Sequence, residues 1–330
     1  MIQALTTSAP APAPAPAPAS APASASASAS VPASVPASFT VREACAALGV
    51  SESGFYAHRH KEQRPRRQQD EVLSDAMQEV FEQNYGCYGS PRLVRGLRQR
   101  GVRCGKTRIR RLMQQAGLCA RQKRRLRPRT TQCDPHRPCA PNLLPDLAPV
   151  AAPGKRFHSD ITYIPTKEGF LYLAATVDAF SRRCAGWCAR DNMETPLVKD
   201  AAHMAFASAS ASASASASAR VHHSDRGSQY TSEAFRRLLE QETIVQSMSR
   251  KGNCYDNALG ESFWATVKTE CFDNFRSGVP QTKAQAMTAL FHYIELFYNR
   301  ERLHSALDYR SPIQFEKDWT IQYFTDNVYT

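Results

Sequence analysis

Residues 159–190 read SDITYIPTKEGFLYLAATVDAFSRRCAGWCAR. In Ser159–Thr166 apolar and polar residues alternate and β-branched side chains recur, the period of a strand with one buried face. Lys167-Glu168-Gly169 supplies a tight turn, FLYLAATVDAF a second strand and RRCAGWCAR a third, which predicts an antiparallel meander. A helix over LVKDAAHMAF comes next. Arg220 to Ser224, ending at Asp225, and Thr243 to Ser247 read as short strands. Between them TSEAFRRLLEQE reads as a helix capped by Thr231 or Ser232. A helix from about Asp256 to Cys271 and a long one from Lys283 to about Tyr298 close the unit. The order βββ-α-β-α-β-α describes an α/β fold, a mixed sheet flanked by helices, with parallel pairing wherever a helix intervenes.

This arrangement carries three acidic residues from three elements: Asp160 in the first strand, Asp225 at the end of the fourth, and Glu261 on a helix. A hard cation such as Mg²⁺ or Mn²⁺ takes oxygen ligands and keeps several waters, so a few carboxylates suffice. Two such ions about 4 Å apart can serve an in-line phosphoryl displacement. Lys268 lies seven positions beyond Glu261, about two helical turns along the same face, where a cation could grip DNA phosphate. Isolated acids are usually solvated, and Asp225 before Arg-Gly could be a turn residue. Asp178 also competes as a strand-end residue, and Asp256 as a helix cap with Asn257 behind it. Spacing alone leaves the choice open.

The chain of 330 residues is basic, with 42 Lys and Arg against 30 Asp and Glu. The excess is local: between Val41 and Thr130 there are 21 Lys and Arg against 8 Asp and Glu. A basic block beside a near-neutral body points to a polyanion, most often nucleic acid. Within the block, VREACAAL, a Gly49-Val50-Ser51 turn and ESGFYAHRH outline a helix-turn-helix. After a helix from about Asp70 to Gln83, Ser90-Pro91 opens PRLVRGLRQR, and TRIRRLMQQA ends at Gly117, a second helical pair. Ile109, Leu112 and Met113 share one face, which leaves Arg108 and Arg111 to point outward; Arg92 lies on the preceding helix. ARQKRRLRPRT, with Arg124 and Arg125, continues the positive track as a phosphate-contacting linker.

Residues 1–39 hold an Ala, Pro and Ser tail too poor in apolar side chains to form a core. The expected organisation is that tail, a helix-turn-helix region over 40–130, a Pro-rich linker over 131–155, an α/β core with its C-terminal helix over 156–316, and a tail over 317–330. The tract Ala207–Ala219 alternates Ala with Ser and carries no chemistry. The cysteines show no disulfide framework, and Cys133-Asp-Pro-His136-Arg-Pro-Cys139 lacks a fourth zinc ligand. No signal peptide or membrane span is legible, so a cytoplasmic, nucleoid-associated protein is expected.

DITYIPTKEGFLYLAATVDAFSR, HHSDRGSQYTS, SMSRKGNCYDNALGESFWATVKTE and YIELFYNRERLHSALDYRSP, with the upstream LGVSESGFYAHR and YGCYGSPRLVRGLRQRG, resemble the second-frame (OrfB) transposases of the insertion-sequence-3 family. The resemblance runs from about residue 40 to residue 316. It implies a retroviral-integrase-like, RNase H-like core with a five-stranded sheet. It also implies a DDE triad at Asp160, Asp225 and Glu261 binding Mg²⁺ or Mn²⁺ as two ions, and a basic partner at Lys268. Arg250 and Lys251 are assigned to backbone phosphate beside it. The implied activity is hydrolysis and strand transfer at the element's ends, with terminal repeats and target DNA as partners. A homo-oligomer on DNA and an upstream-frame product are further expected partners. Phe157 stands where the family commonly has Trp. A nuclease or integrase of the same fold, a non-catalytic DNA-binding regulator or decayed element, and an RNA-binding protein are the rival readings.

Overall fold

The computed structural model describes residues 40–59, 65–121, 139–210, 219–250, 257–272 and 279–328. The Ala-Pro tail, Arg124, Arg125, Cys133, His136, residues 211–218 of the Ala-Ser tract, Lys251 and Asp256 lie outside these residues. The chain divides into two compact units, 1–63 and 64–330, so the expected 40–130 region is split.

The first unit holds α1 (Val41–Leu48) and α2 (Glu52–Arg59). Thr40 and Glu43 cap α1 reciprocally, and Gly49 ends it in the left-handed region at φ 65°. Ser51 Oγ accepts from Gly54 N–H at 3.1 Å, the cap its position predicts.

In the second unit, α3 (Pro65–Gln83), α4 (Ser90–Gln99) and α5 (Lys106–Gln115) pack together. Gly89 is the N-cap of α4, one residue before the expected Ser90. Arg108 and Arg111 do not point freely outward. Both grip Asp70 of α3, at 2.6 and 2.5 Å, and Arg111 first and then Arg108 hold that carboxyl below its usual range against the opposing effect of burial. Helical periodicity locates the buried face but is silent on an acid across the helix pair.

The sheet comprises β1 (Arg156–Thr166), β2 (Gly169–Asp178), β3 (Cys184–Arg190), β4 (Arg220–Ser224) and β5 (Ile244–Met248), ordered β3-β2-β1-β4-β5. The first three strands pair antiparallel, while β4 runs parallel to both β1 and β5. The expected mixed five-stranded sheet is present. Side chains of β2 alternate between two cores. Ala174 joins Phe157, α6 (Thr195–Ser210) and α7 (Glu233–Gln241). Leu173, Ala175 and Val177 join α8 (Ala258–Val267), α9 (Lys283–Phe291) and the α3–α5 helices. Gly186 permits the first packing, since a Cβ there would lie 2.1 Å from Ala201 O on α6. Ser232, not Thr231, caps α7 by accepting from Phe235 N–H.

Three departures from the sequence expectations follow from contacts between elements. Both closing helices change pitch, α8 into a π-helix at Lys268–Phe272 and α9 into another at His292–Tyr298. Residues 139–155 are not a free loop: Met248 N–H donates to Pro141 O and Leu143 N–H to Ser247 Oγ, covering the edge of β5. The expected boundary at 316 falls inside α10 (Pro312–Val328). Glu316 accepts from Ser181 Oγ at 2.6 Å, and Phe180 meets Phe315 and Trp319 at 5.1 and 5.7 Å between ring centroids. The apolar residues of α10 are spread round the helix, so its sequence shows no stripe.

Candidate active site

Parallel pairing sets the first two carboxylates side by side. Arg156, Phe157 and His158 of β1 stand opposite Val221, His222 and His223 of β4. Two residues further along, that register brings Asp160 level with Asp225, at the C-terminal end of β4. Asp225 Oδ1 accepts from Gly227 N–H at 3.1 Å, which turns the chain away from the strand.

The third carboxylate arrives by close approach of a helix. A Cβ on Gly260 would fall 2.9 Å from Asp160 Cβ, so α8 crosses β1 at a separation only glycine permits. Asn257, the buried N-cap of α8, donates from Nδ2 to Ser159 O at 3.4 Å and ties the helix start to the same strand. Glu261 follows Gly260 in the first turn of α8, with its side chain exposed.

The electrostatics of Asp160 and Lys268 reflect these neighbours. Asp160 is pushed well above the ordinary carboxyl range, first by burial, then by the negative charge of Asp225, with Glu261 adding to it. The Ile161 N–H and Lys268 pull the other way. Lys268 is lowered by burial and raised by Asp160, and its Nζ sits 5.1 Å from the centroid of Tyr163. The four residues therefore share one locus.

A layer of buried imidazole and hydroxyl groups supports it. His222 Nε2 bonds Ser159 Oγ at 2.8 Å, and Ser159 Oγ bonds Thr176 Oγ1 at 2.7 Å. His223 bridges Ser247 and Ser249, at 2.9 and 3.1 Å. Burial first, with repulsion from His223, drops both His158 and His222 to about 3, so neither is charged near neutrality. Asp178 is a structural acid: it accepts from Gly154, Phe180 and Ser181 N–H groups across the β2–β3 turn.

The assigned DNA contacts are not all brought to this locus. Arg250 is exposed just beyond β5. Arg92 is half-buried over the Tyr88 ring, with its guanidinium carbon 5.7 Å from the centroid. Gly260 and Tyr163 were not singled out from the sequence, and Asn257 was named only as standing behind an Asp256 cap, whereas it is itself the N-cap of α8. The Asn-Ala-Leu-Gly-Glu spacing, a cap three residues before a glycine beside the acid, is the signal that could have found Gly260 and Asn257.

Residues 150–254 and 242–312 each match the integrase core domain family, and residues 68–125 match the HTH-like domain family. The transposase for insertion sequence element IS904 of Lactococcus lactis subsp. lactis (strain IL1403) is 39% identical over 256 residues, covering 77% of this chain and 98% of that protein. Transposase InsF for insertion sequence IS3A of Escherichia coli (strain K12) is 33% identical over 281 residues, covering 84% of this chain and 94% of that protein. The chain belongs to the insertion-sequence-3 family of transposases. As an insertion-sequence-3 transposase it is an enzyme of the DDE transposase and integrase type, with an integrase core behind a DNA-binding helical region. Among solved structures, the HTLV-2 integrase catalytic core domain in complex with magnesium (trimeric form) is 14% identical, covers 50% of this chain and 98% of that one, and gives a TM-score of 0.35. Among the described residues, no helix is long and apolar enough to cross a membrane.

Proposed function

We propose that Asp160, Asp225 and Glu261 form the catalytic triad of this transposase, with Lys268 as its phosphate-holding cation. The observation that carries the proposal is geometric: the parallel β1–β4 register sets Asp160 level with Asp225, and Gly260, next to Glu261, lies against Asp160 Cβ. An all-carboxylate donor set suits a hard divalent cation. Among the described residues no three acidic, His or Cys side chains stand close enough to enclose a single ion. Glu261, exposed on the first turn of α8, would supply the third carboxylate.

Asp160 and Asp225 would hold Mg²⁺ or Mn²⁺ between adjacent strands, with Glu261 reaching from the helix above. When bound, two such ions supply charge neutralisation and activation of the attacking oxygen in an in-line displacement. The protein's own contribution is positional. β1 and β4 fix the first two carboxylates in register, Gly260 sets the helix height, and Lys268 holds a non-bridging oxygen of the scissile phosphate. The reaction proposed is hydrolysis at the element's end to free a 3′-OH, which then attacks a phosphodiester of target DNA by transesterification. The 3′-oxygen of the broken bond leaves as the new bond to phosphorus forms.

The helix-turn-helix helices would carry the terminal repeats as an oligomer on DNA, with an upstream-frame product as a further partner and the nucleoid as the location. The deciding experiment incubates the full chain with Mg²⁺ or Mn²⁺ and a duplex carrying an element end, and compares wild type with Asp225→Asn. Loss of both cleavage and joining with DNA binding intact supports the proposal. Equal joining by both proteins overturns it, and cleavage without joining by wild type favours a nuclease.

A further inference from the structure

A polar cavity of about 270 Å³ lies on the other side of α8 from the carboxylates. Leu259, Ser262, Phe263 and Thr266 line it, whereas at 100° per residue Glu261 projects from the opposite side of the helix. The cavity joins elements far apart in sequence. Arg92 enters from α4, Arg121 from beyond α5, Arg182 from the β2–β3 turn and Arg302 from the segment after the second π-helix.

The charge of the lining is one-sided. Glu270 is the one carboxylate among the lining residues, and both its oxygens accept from Arg302, each at 2.6 Å, while Tyr293 Oη donates to it at 2.7 Å. Glu270 is therefore engaged by Arg302 and Tyr293, and the lining holds four guanidiniums against one carboxylate. Among the described residues neither Arg92 nor Arg182 forms an ion pair, and the Arg92 guanidinium stands over the Tyr88 ring. Burial and the neighbouring Arg302 both disfavour the charge on Arg92. Cys87 adds no anion, because burial lifts its thiol to about 12.

The backbone of the site is also constrained. Arg182 is held at φ 63°, a left-handed conformation that a β-turn normally gives to Gly or Asn, and Tyr298 Oη donates to its carbonyl at 3.1 Å. A strained, pinned arginine aimed into a half-enclosed cavity with surplus positive charge is a preorganised anion receptor. Guanidiniums from four separate elements lining one cavity, together with Ser262, offer the several donors that the oxygens of a tetrahedral anion take.

We propose that this cavity is a phosphate-binding site, separate from the carboxylate cluster, and that its occupant is a backbone phosphate of bound DNA. The assignment of the polymer rests on the transposase reading, but the anion chemistry does not. Because the cavity is walled by both the α4–α5 helices and the core, an occupied site would link end recognition to the position of α8.

The test uses the full chain, with Arg92→Gln, Arg182→Gln and the double variant, each required to keep a wild-type circular dichroism spectrum. Anisotropy of a labelled duplex carrying an element end, measured in EDTA across a salt series, reports DNA phosphate. Thermal melting with added inorganic phosphate at constant ionic strength reports free phosphate. Each single variant is expected to bind DNA on the order of tenfold more weakly, with the logarithmic salt slope shallower by about one. Inorganic phosphate is expected to raise the melting temperature of wild type and not of the double variant. Loss of the phosphate response with an unchanged DNA slope upholds the anion site and assigns it to free phosphate. A changed slope without a phosphate response assigns it to DNA alone. If neither readout changes in the double variant, the site does not exist. Failure of the triad is read from strand joining with a divalent ion and failure of this site from binding in EDTA, so the two are separable.

Discussion

Gly260 leaves only 2.9 Å between the position of a side-chain carbon and Asp160 Cβ, so the spacing between helix α8 and strand β1 is set by a missing methyl group. Gly260→Ala must push the helix away or displace Asp160. Overpacking of this kind costs about 1–3 kcal/mol, and the displaced helix carries Glu261 with it. The expected outcome is a folded protein of lower melting temperature that binds duplex DNA but joins strands at least a hundredfold more slowly. Near wild-type joining by Gly260→Ala would show that the height of α8 is not critical.

Repulsion at Asp160 predicts a linkage between divalent ions and stability. Neutralising one carboxylate by Asp160→Asn removes the repulsion from Asp225 and Glu261. In EDTA at neutral pH the variant is therefore expected to melt at or above the temperature of wild type. Addition of Mg²⁺ should raise the wild-type melting temperature by mass action and leave the variant almost unmoved. A wild-type melt that ignores Mg²⁺ and Mn²⁺ at millimolar concentrations would contradict the assignment.

The buried imidazoles give the acid limb of stability. His158 and His222 are depressed to about 3 in the folded chain, against an ordinary value of 6.5. The unfolded chain thus takes up protons first, so the stabilisation is fully present above 6.5 and is lost as pH falls from there toward 3. Each histidine contributes a slope of at most about 1.4 kcal/mol per pH unit in that window. Urea unfolding between pH 7.5 and 5 checks this; a flat profile would count against burial of uncharged imidazole.

The junction between the helices and the core hangs on one buried ion pair. Arg302 is 4% exposed and Glu270 7%, and Leu303 N–H beside them donates to Tyr88 Oη at 2.8 Å. Removing one partner leaves an uncompensated buried charge, a loss of about 3–5 kcal/mol. Glu270→Gln is expected to lower urea stability by that order, with Arg302→Met on the same background recovering part of it. An unchanged denaturation midpoint in Glu270→Gln would contradict the pairing.

The meander, the parallel β4–β5 pair and the intervening helices were legible because period-two alternation and turn residues are local signals. The proposed triad of Asp160, Asp225 and Glu261 came from the resemblance, which supplied what spacing left open. Other features depend on partners remote in sequence. Arg108 and Arg111 were assigned to DNA because Asp70 lies about forty positions away, and one carboxylate facing them changes their role. Gly260 was invisible because a close approach is a property of two elements at once. The π-helical turns at Lys268 and His292 were unreadable for a different reason, since their residues are ordinary helix formers and the change of pitch answers to packing.

The account is tested most directly by a strand-transfer assay on a duplex bearing an element end, with Mg²⁺ or Mn²⁺, comparing wild type with Asp160→Asn, Asp225→Asn and Glu261→Gln. The predicted result is joining by wild type and a loss of at least a thousandfold in all three variants, each retaining wild-type affinity for the duplex. Joining by Asp160→Asn at the wild-type rate would contradict it.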